Sequence, residues 1–374
     1  MAYRAATIPF LFLMFLLFSS PALATDKAEQ EKEISSFLTE LFQARTQLLI
    51  QNDPALIERF YLPKEKASYY ALQQERRRAQ YLQAWSKKRD LLFTEASHNI
   101  RIARIKPRQD TAIVSLSYTL KLTYVYPGKD IQPQSFGAGT RHSIKLKKAG
   151  GTWHVAREWY SDPIEESPNT IPTSAVLPPP YDHTAIAKKS YTKGKKRYNR
   201  EKAVQYANKY AGIAWGAGNN HRYNPKYRDY HYEGGDCTNF ASQVLGDPEE
   251  GGGLPMRGGW YYRYKQGGST AWVQTDSLAH FLVRSGYGRI IARGTYADVM
   301  APSSSHPNGA MARLEPGDLI GYEMKGDIDH FSIVVGRDDN GYVLVNSHSG
   351  DRYRVPWDLG WDKYTKFVLF HIRD

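Results

Sequence analysis

Gly234-Gly235-Asp236-Cys237-Thr238-Asn239-Phe240-Ala241-Ser242-Gln243 is the stretch on which the reading of this chain turns. Two glycines make a turn, and Phe240, Ala241, Val244 and Leu245 then recur at helical spacing. That pattern predicts an amphipathic helix whose apolar back packs against a sheet. A turn-to-helix junction brings unpaired N–H groups and the positive end of the helix dipole to the thiol, a setting that stabilises a thiolate. Cys237 is the only cysteine among 374 residues, so it has no partner for an internal disulfide. It is a candidate nucleophile. The competing reading is a small buried hydrophobe, because free cysteine is among the most buried residue types.

A cysteine nucleophile needs a base within reach, and the base needs a third group to orient it. Downstream the chain turns strand-like: Asp318–Tyr322, His330–Gly336, Tyr342–His348 and Phe367–Ile372. His330 opens the second of these runs. Phe331, Ile333 and Val335 alternate there as buried residues, so the imidazole is expected on the opposite face. Asn346 and His348 stand two apart on the next strand and share one face, and either could hold the far nitrogen of His330. A metal site from Asp327, Asp329, His330, His348 and Asp351 is conceivable, but no HExxH or cysteine-pair spacing supports it, and neither metal nor cofactor is expected.

Upstream of the cysteine lie a helical stretch from Tyr198 and a tyrosine-rich loop, Tyr223-Asn224-Pro225-Lys226-Tyr227. Downstream lie Trp260 and Trp272 in a Gly-rich segment, and a short helix around Leu278–Val283. Tyr223, Asn224, Asp236, Trp260 and Trp272 are the candidate substrate-binding residues, with the aromatics able to stack on sugar or flank a peptide. The tryptophans read equally well as a core beneath the loops.

The first half has a different pattern. Ile34, Phe37, Leu38, Leu41 and Phe42 predict a helix over Glu33–Phe42, and Tyr70, Tyr81, Leu82 and Trp85 a longer basic one ending near Asp90. From Ala112 to Tyr126 the period is two, a long half-buried strand. His142–Leu146 and Thr152–Ala156 form a hairpin around Gly150-Gly151. Helices followed by a curved antiparallel sheet resemble the cystatin or NTF2-like class, with no catalytic constellation. Between the halves, residues 163–197 are rich in proline and lysine and read as a linker.

The N-terminus reads as an export signal: Arg4, the apolar run Ile8–Phe18, then Ala22-Leu23-Ala24 as a cleavage site. The apolar run is shorter than the roughly 20 residues that span a bilayer. The chain is therefore expected outside the cytoplasm, without stable membrane insertion after cleavage. A net charge of +12 implies an anionic partner. For an exported protein that partner is expected to be a wall polymer, not nucleic acid.

The run Tyr198–Ala203, the loop Tyr223-Asn224-Pro225-x-Tyr227, the segment Gly234–Gln243, Pro316-Gly317-Asp318-Leu319-Ile320 and His330-x-x-Ile333-Val334-Val335-Gly336 together resemble the putative amidase domain family of secreted bacterial proteins. That family is similar to the NlpC-type and CHAP peptidoglycan peptidases. The resemblance covers Tyr198 to the C-terminus, and its most specific part is the cysteine segment. It implies a papain-like cysteine hydrolase fold with Cys237 as nucleophile, His330 as base and Asn346, or else His348, as the orienting residue, acting on peptidoglycan. Phe331 departs from the small residues that family members carry after the histidine. The expected organisation is a signal over 1–24, an α+β accessory domain over 25–162, the linker over 163–197 and the amidase domain over 198–374. The alternative is a wall-binding or scaffolding module that keeps the fold without turnover.

Overall fold

The computed structural model describes residues 21–175 and 197–374, with side chains from Lys27 onward. The apolar run Ile8–Phe18, read above as part of an export signal, and most of the Pro/Lys stretch lie outside the described residues. The chain begins with α1 (Pro21–Gln51), a short α2 (Ala55–Glu58) and α3 (Lys66–Lys88). Four antiparallel strands follow, β1 (Leu92–Arg108), β2 (Thr111–Val125), β3 (Gln134–Ala149) and β4 (Thr152–Trp159). Alternation in β2 buries Val114, Leu116, Tyr118, Leu120 and Leu122 against α1 and α3, whose Leu38, Leu41, Leu82 and Trp85 complete this core. The helix expected over Glu33–Phe42 runs well past both ends of that stretch, and β1 is a strand that the residues had not announced.

The second half supplies α4 (Arg200–Lys209), α5 (Cys237–Gly246), the small hairpin β5 (Tyr262–Arg263) and β6 (Gly267–Gly268), α6 (Thr270–Val273), α7 (Thr275–Ser285), β7 (Gly288–Gly294) and α8 (Tyr296–Met300). It ends with β8 (Leu319–Met324), β9 (Asp327–Arg337), β10 (Val343–Ser347), β11 (Asp351–Pro356) and β12 (Lys366–Ile372). The architecture is α+β, mixed helix and antiparallel sheet. Among the described residues no helix is long and apolar enough to cross a membrane.

One sheet runs through both halves in the order β1-β2-β3-β11-β10-β9-β8-β12-β7, with β4 added to β3. The seam is β3 against β11, where Gly139 pairs with Asp351 and Gly137 with Tyr353. These two glycines are required by packing: a Cβ on Gly137 would lie 2.1 Å from the Trp215 carbonyl oxygen, and one on Gly139 2.6 Å from the Ile213 side chain. Polar contacts reinforce the seam. Arg89, just past the end of α3, pairs with buried Asp358, and Tyr124 and Tyr126 donate to Asp338 at 2.8 and 2.7 Å.

The stretch read as a linker begins as packed structure. Ile164 and Ile171 are buried in the first core, and the Pro163 carbonyl accepts from Arg352. Apolar residues inside an otherwise polar, proline-rich segment fasten it down, while residues 176–196 lie outside the described part.

Helices α4, α5 and α7 cover one face of the β8–β10 region, meeting Phe331, Ile333 and Val335. The opposite face carries Ile320, Tyr322, Val334 and Val345, capped by Trp357 and Trp361.

Candidate active site

Gly234 and Gly235 both adopt positive φ, 106° and 120°, so the turn before the cysteine requires glycine there. Cys237 then begins α5 and is buried. Its sulfur lies against β9: burial pushes the thiol above its ordinary value, hydrogen bonding from the Phe331 backbone amide and from Thr238 opposes this, and the Asp236 carboxylate adds to the rise. Desolvation therefore outweighs the helix terminus and favours the thiol over the thiolate. The direction of this shift runs against a resting thiolate.

His330 is the residue beside Phe331, so thiol and imidazole belong to the same point of β9. Its ring centroid lies 5.7 Å from that of Tyr322 and 5.6 Å from that of Trp361. The imidazole thus occupies the face opposite Phe331, as the alternation predicts. Burial holds it well below its ordinary pKa, helped by Arg352 and then His348. Its Nε2 is buried without a partner, and among the described residues no hydrogen bond joins it to Cys237.

The hydrogen bonds of Asn346 and His348 go to partners other than His330. Asn346 pairs across the ladder with Ile333 and so shares the face of α4 and α5. Its amide donates to the Ala207 carbonyl and Asn208 Oδ1, and its oxygen accepts from the Arg354 amide. His348, two residues on, bonds through Nδ1 to Asp236 Oδ2 and through Nε2 to the Tyr210 carbonyl, both at 2.6 Å. Its ring is sandwiched between Tyr223 and Phe240, each at 3.7 Å. One of the two, Asn346 or else His348, was expected to orient the base; the ladder register of Asn346 and the packing of His348 on Phe240 put both on the α4 and α5 side of the sheet.

The substrate-binding candidates are also occupied. Asp236 takes up the Tyr230 amide and the Asn239 amide group as well as His348. Tyr223 donates to Asp351, and Asn224 donates to Tyr206 while accepting from the Lys226 amide. Trp260 and Trp272 are fully buried and stacked on each other at 4.9 Å, with their N–H groups on Ser242 and Asn239. Neither presents a ring to a ligand; they form the core under the loops. Asp351, considered for a metal, instead receives the Ile213 amide, the Tyr223 hydroxyl and Arg141. Among the described residues no group of three or more His, Cys, Asp or Glu could hold a metal ion. The residue that sequence reading missed is Arg352, which stands close enough to His330 to depress its pKa. An arginine in the run Asp351-Arg352-Tyr353-Arg354 reads as part of a solvated strand, so no local signal marks it.

Residues 197–371 match the family described as "Putative amidase domain", the part of the chain that contains Cys237 and His330. A curated relative is an uncharacterized protein, YhbB, of Bacillus subtilis (strain 168), 30% identical over 190 residues that make up 48% of this chain and 51% of that protein. The chain thus spans about half the length of the curated relative it matches. Similar solved structures include an NTF2-like protein of unknown function from Shewanella oneidensis MR-1, 12% identical, covering 34% of this chain and 98% of that one at a TM-score of 0.22. A hexachlorocyclohexane dehydrochlorinase (LinA) overlaps 37% of this chain and 91% of its own at 10% identity and a TM-score of 0.25. At such scores these overlaps carry no argument about the first half.

Proposed function

We propose that the second half is a papain-like cysteine amidase of the NlpC and CHAP type, exported and acting on amide bonds of peptidoglycan. The observation that carries this reading is the meeting of Cys237, at the mouth of α5, with the Phe331 amide next to His330, inside the segment that matches an amidase family. In the resting site thiol and imidazole are both neutral. A neutral imidazole is able to accept the thiol proton as sulfur attacks an amide carbonyl, and a rotation of the His330 side chain around the strand edge is the motion this requires. N–H groups at the start of α5, with that of Cys237 among them, would face the developing oxyanion. His330 then protonates the leaving amine, and water, deprotonated by His330, hydrolyses the thioester. The net charge of +12 suits an anionic wall polymer, and the N-terminal signal suits export.

The commitment of Asn346 and His348 to other partners favours a second reading, a wall-binding module without turnover. Incubating purified peptidoglycan with the wild type and with Cys237→Ala, then identifying new amines or reducing ends by mass spectrometry, separates the two. New amino groups that depend on Cys237 establish the amidase. Pelleting with the polymer without products establishes the binding module.

A further inference from the structure

Arg45, Arg78 and Arg89 are buried arginines, and each has a carboxylate against it: Glu158, Asp162 and Asp358 respectively. Arg352 is equally buried, at 3% exposure, yet among the described residues no carboxylate stands within ion-pair distance of it. Its Nη2 donates to the Pro163 carbonyl, while Nε and Nη1 are buried without partners. Asp162, the acid whose charge reaches it, is held by Arg78. A buried cation without a counter-charge costs several kcal/mol. His330 Nε2 is likewise buried without a partner.

Trp361 joins the two: the Arg352 guanidinium carbon lies 5.0 Å from its ring, and the His330 ring 5.6 Å from it. The Trp361 N–H and the Ser332 hydroxyl are directed at the Tyr322 hydroxyl, which donates to the Trp357 carbonyl at 2.9 Å and keeps its lone pairs for them. The atoms left without a partner at this end of the sheet face are therefore Nε and Nη1 of Arg352 and Nε2 of His330.

We propose that the space bounded by Arg352, Trp361 and His330 is a binding site for a carboxylate group. A carboxylate offers acceptor sites for the free guanidinium nitrogens and for an imidazole or indole N–H, and supplies the charge that Arg352 lacks. His330 and Trp361, each 9% exposed, form its outer wall. The carboxylate comes from a small free ion or from a peptide, and the site is independent of whether Cys237 turns over.

The test uses the full chain carrying Cys237→Ala, so hydrolysis plays no part. Thermal unfolding is followed at pH 7 in sodium formate against sodium chloride of equal ionic strength. A saturable rise in Tm with formate, lost in Arg352→Met, is expected. An N-acetyl dipeptide acid and its amide distinguish the sources: a rise with the acid alone assigns the group to a peptide, whereas a response to formate only assigns a resident ion. No formate-specific rise, or an equal rise in Arg352→Met, overturns the site. Should Arg352→Met not fold, the Trp361 indole N–H resonance, assigned with Trp361→Phe, decides: a formate-dependent shift supports the site and an unchanged resonance overturns it.

Discussion

Asp236 Oδ2 and His348 Nδ1 stand 2.6 Å apart, so the residue before the cysteine is tied to the chain just past β10. Through the stack on Tyr223, and Tyr223 on Asp351, the same tie reaches Arg141 of β3 in the first half. The cysteine turn is thereby anchored to both halves of the sheet, and a carboxylate is held next to the thiol.

That carboxylate raises the Cys237 pKa, so Asp236→Asn should lower it. Iodoacetamide alkylation across pH reads the change. A downward shift, read as faster labelling at pH 7, is expected. An unchanged or slower profile would show that the charge of Asp236 does not act on the sulfur.

What the residues disclosed and what they hid follows from where each partner comes from. Helix α5 and strands β2, β9 and β10 were legible because their apolar periods are local, and the glycine turn before Cys237 is a local signal too. Strand β1 was hidden because its inner face is only half-buried, which leaves a weak apolar period against the exposed one. Strand β11 was hidden because it turns Asp351 and Arg352 inward, a choice compensated only by Arg141 and Pro163 far away in sequence. The roles of Asn346 and His348 were misread for the same reason: their face was predictable, but not that α4 and the Asp236 turn would occupy it. For Trp260 and Trp272, composition cannot distinguish a stacking platform from a core, and packing decided for the core.

The seam between the halves should be unusually sensitive at Asp358. Its carboxylate receives Arg89, the Trp85 indole N–H at 3.0 Å and the Tyr342 hydroxyl at 2.7 Å. Asp358→Ala leaves the Arg89 charge buried and uncompensated, a loss of about 3–5 kcal/mol by urea denaturation. Arg89→Met on that background should restore part of it, because the orphan charge is then gone. A loss of less than about 1 kcal/mol would class the pair with exposed ion pairs.

The neutral thiol and neutral imidazole also fix a pH window for stability. His330 has a folded pKa depressed below its ordinary 6.5, so the unfolded chain binds more protons there. Its contribution is present above that value and is lost as pH falls through 6.5 toward the folded value. Cys237 behaves in the opposite sense: its folded pKa is raised above the ordinary 9.0, so stability is lost as pH rises through 9.0. Denaturant midpoints across pH should show His330→Asn with a flatter acid limb than the wild type and Cys237→Ser with a flatter alkaline limb. Each substitution should leave the other limb unchanged, since the two groups titrate at opposite ends. A wild-type acid limb that survives intact in His330→Asn would mean that the imidazole is solvated rather than enclosed by Tyr322 and Trp361.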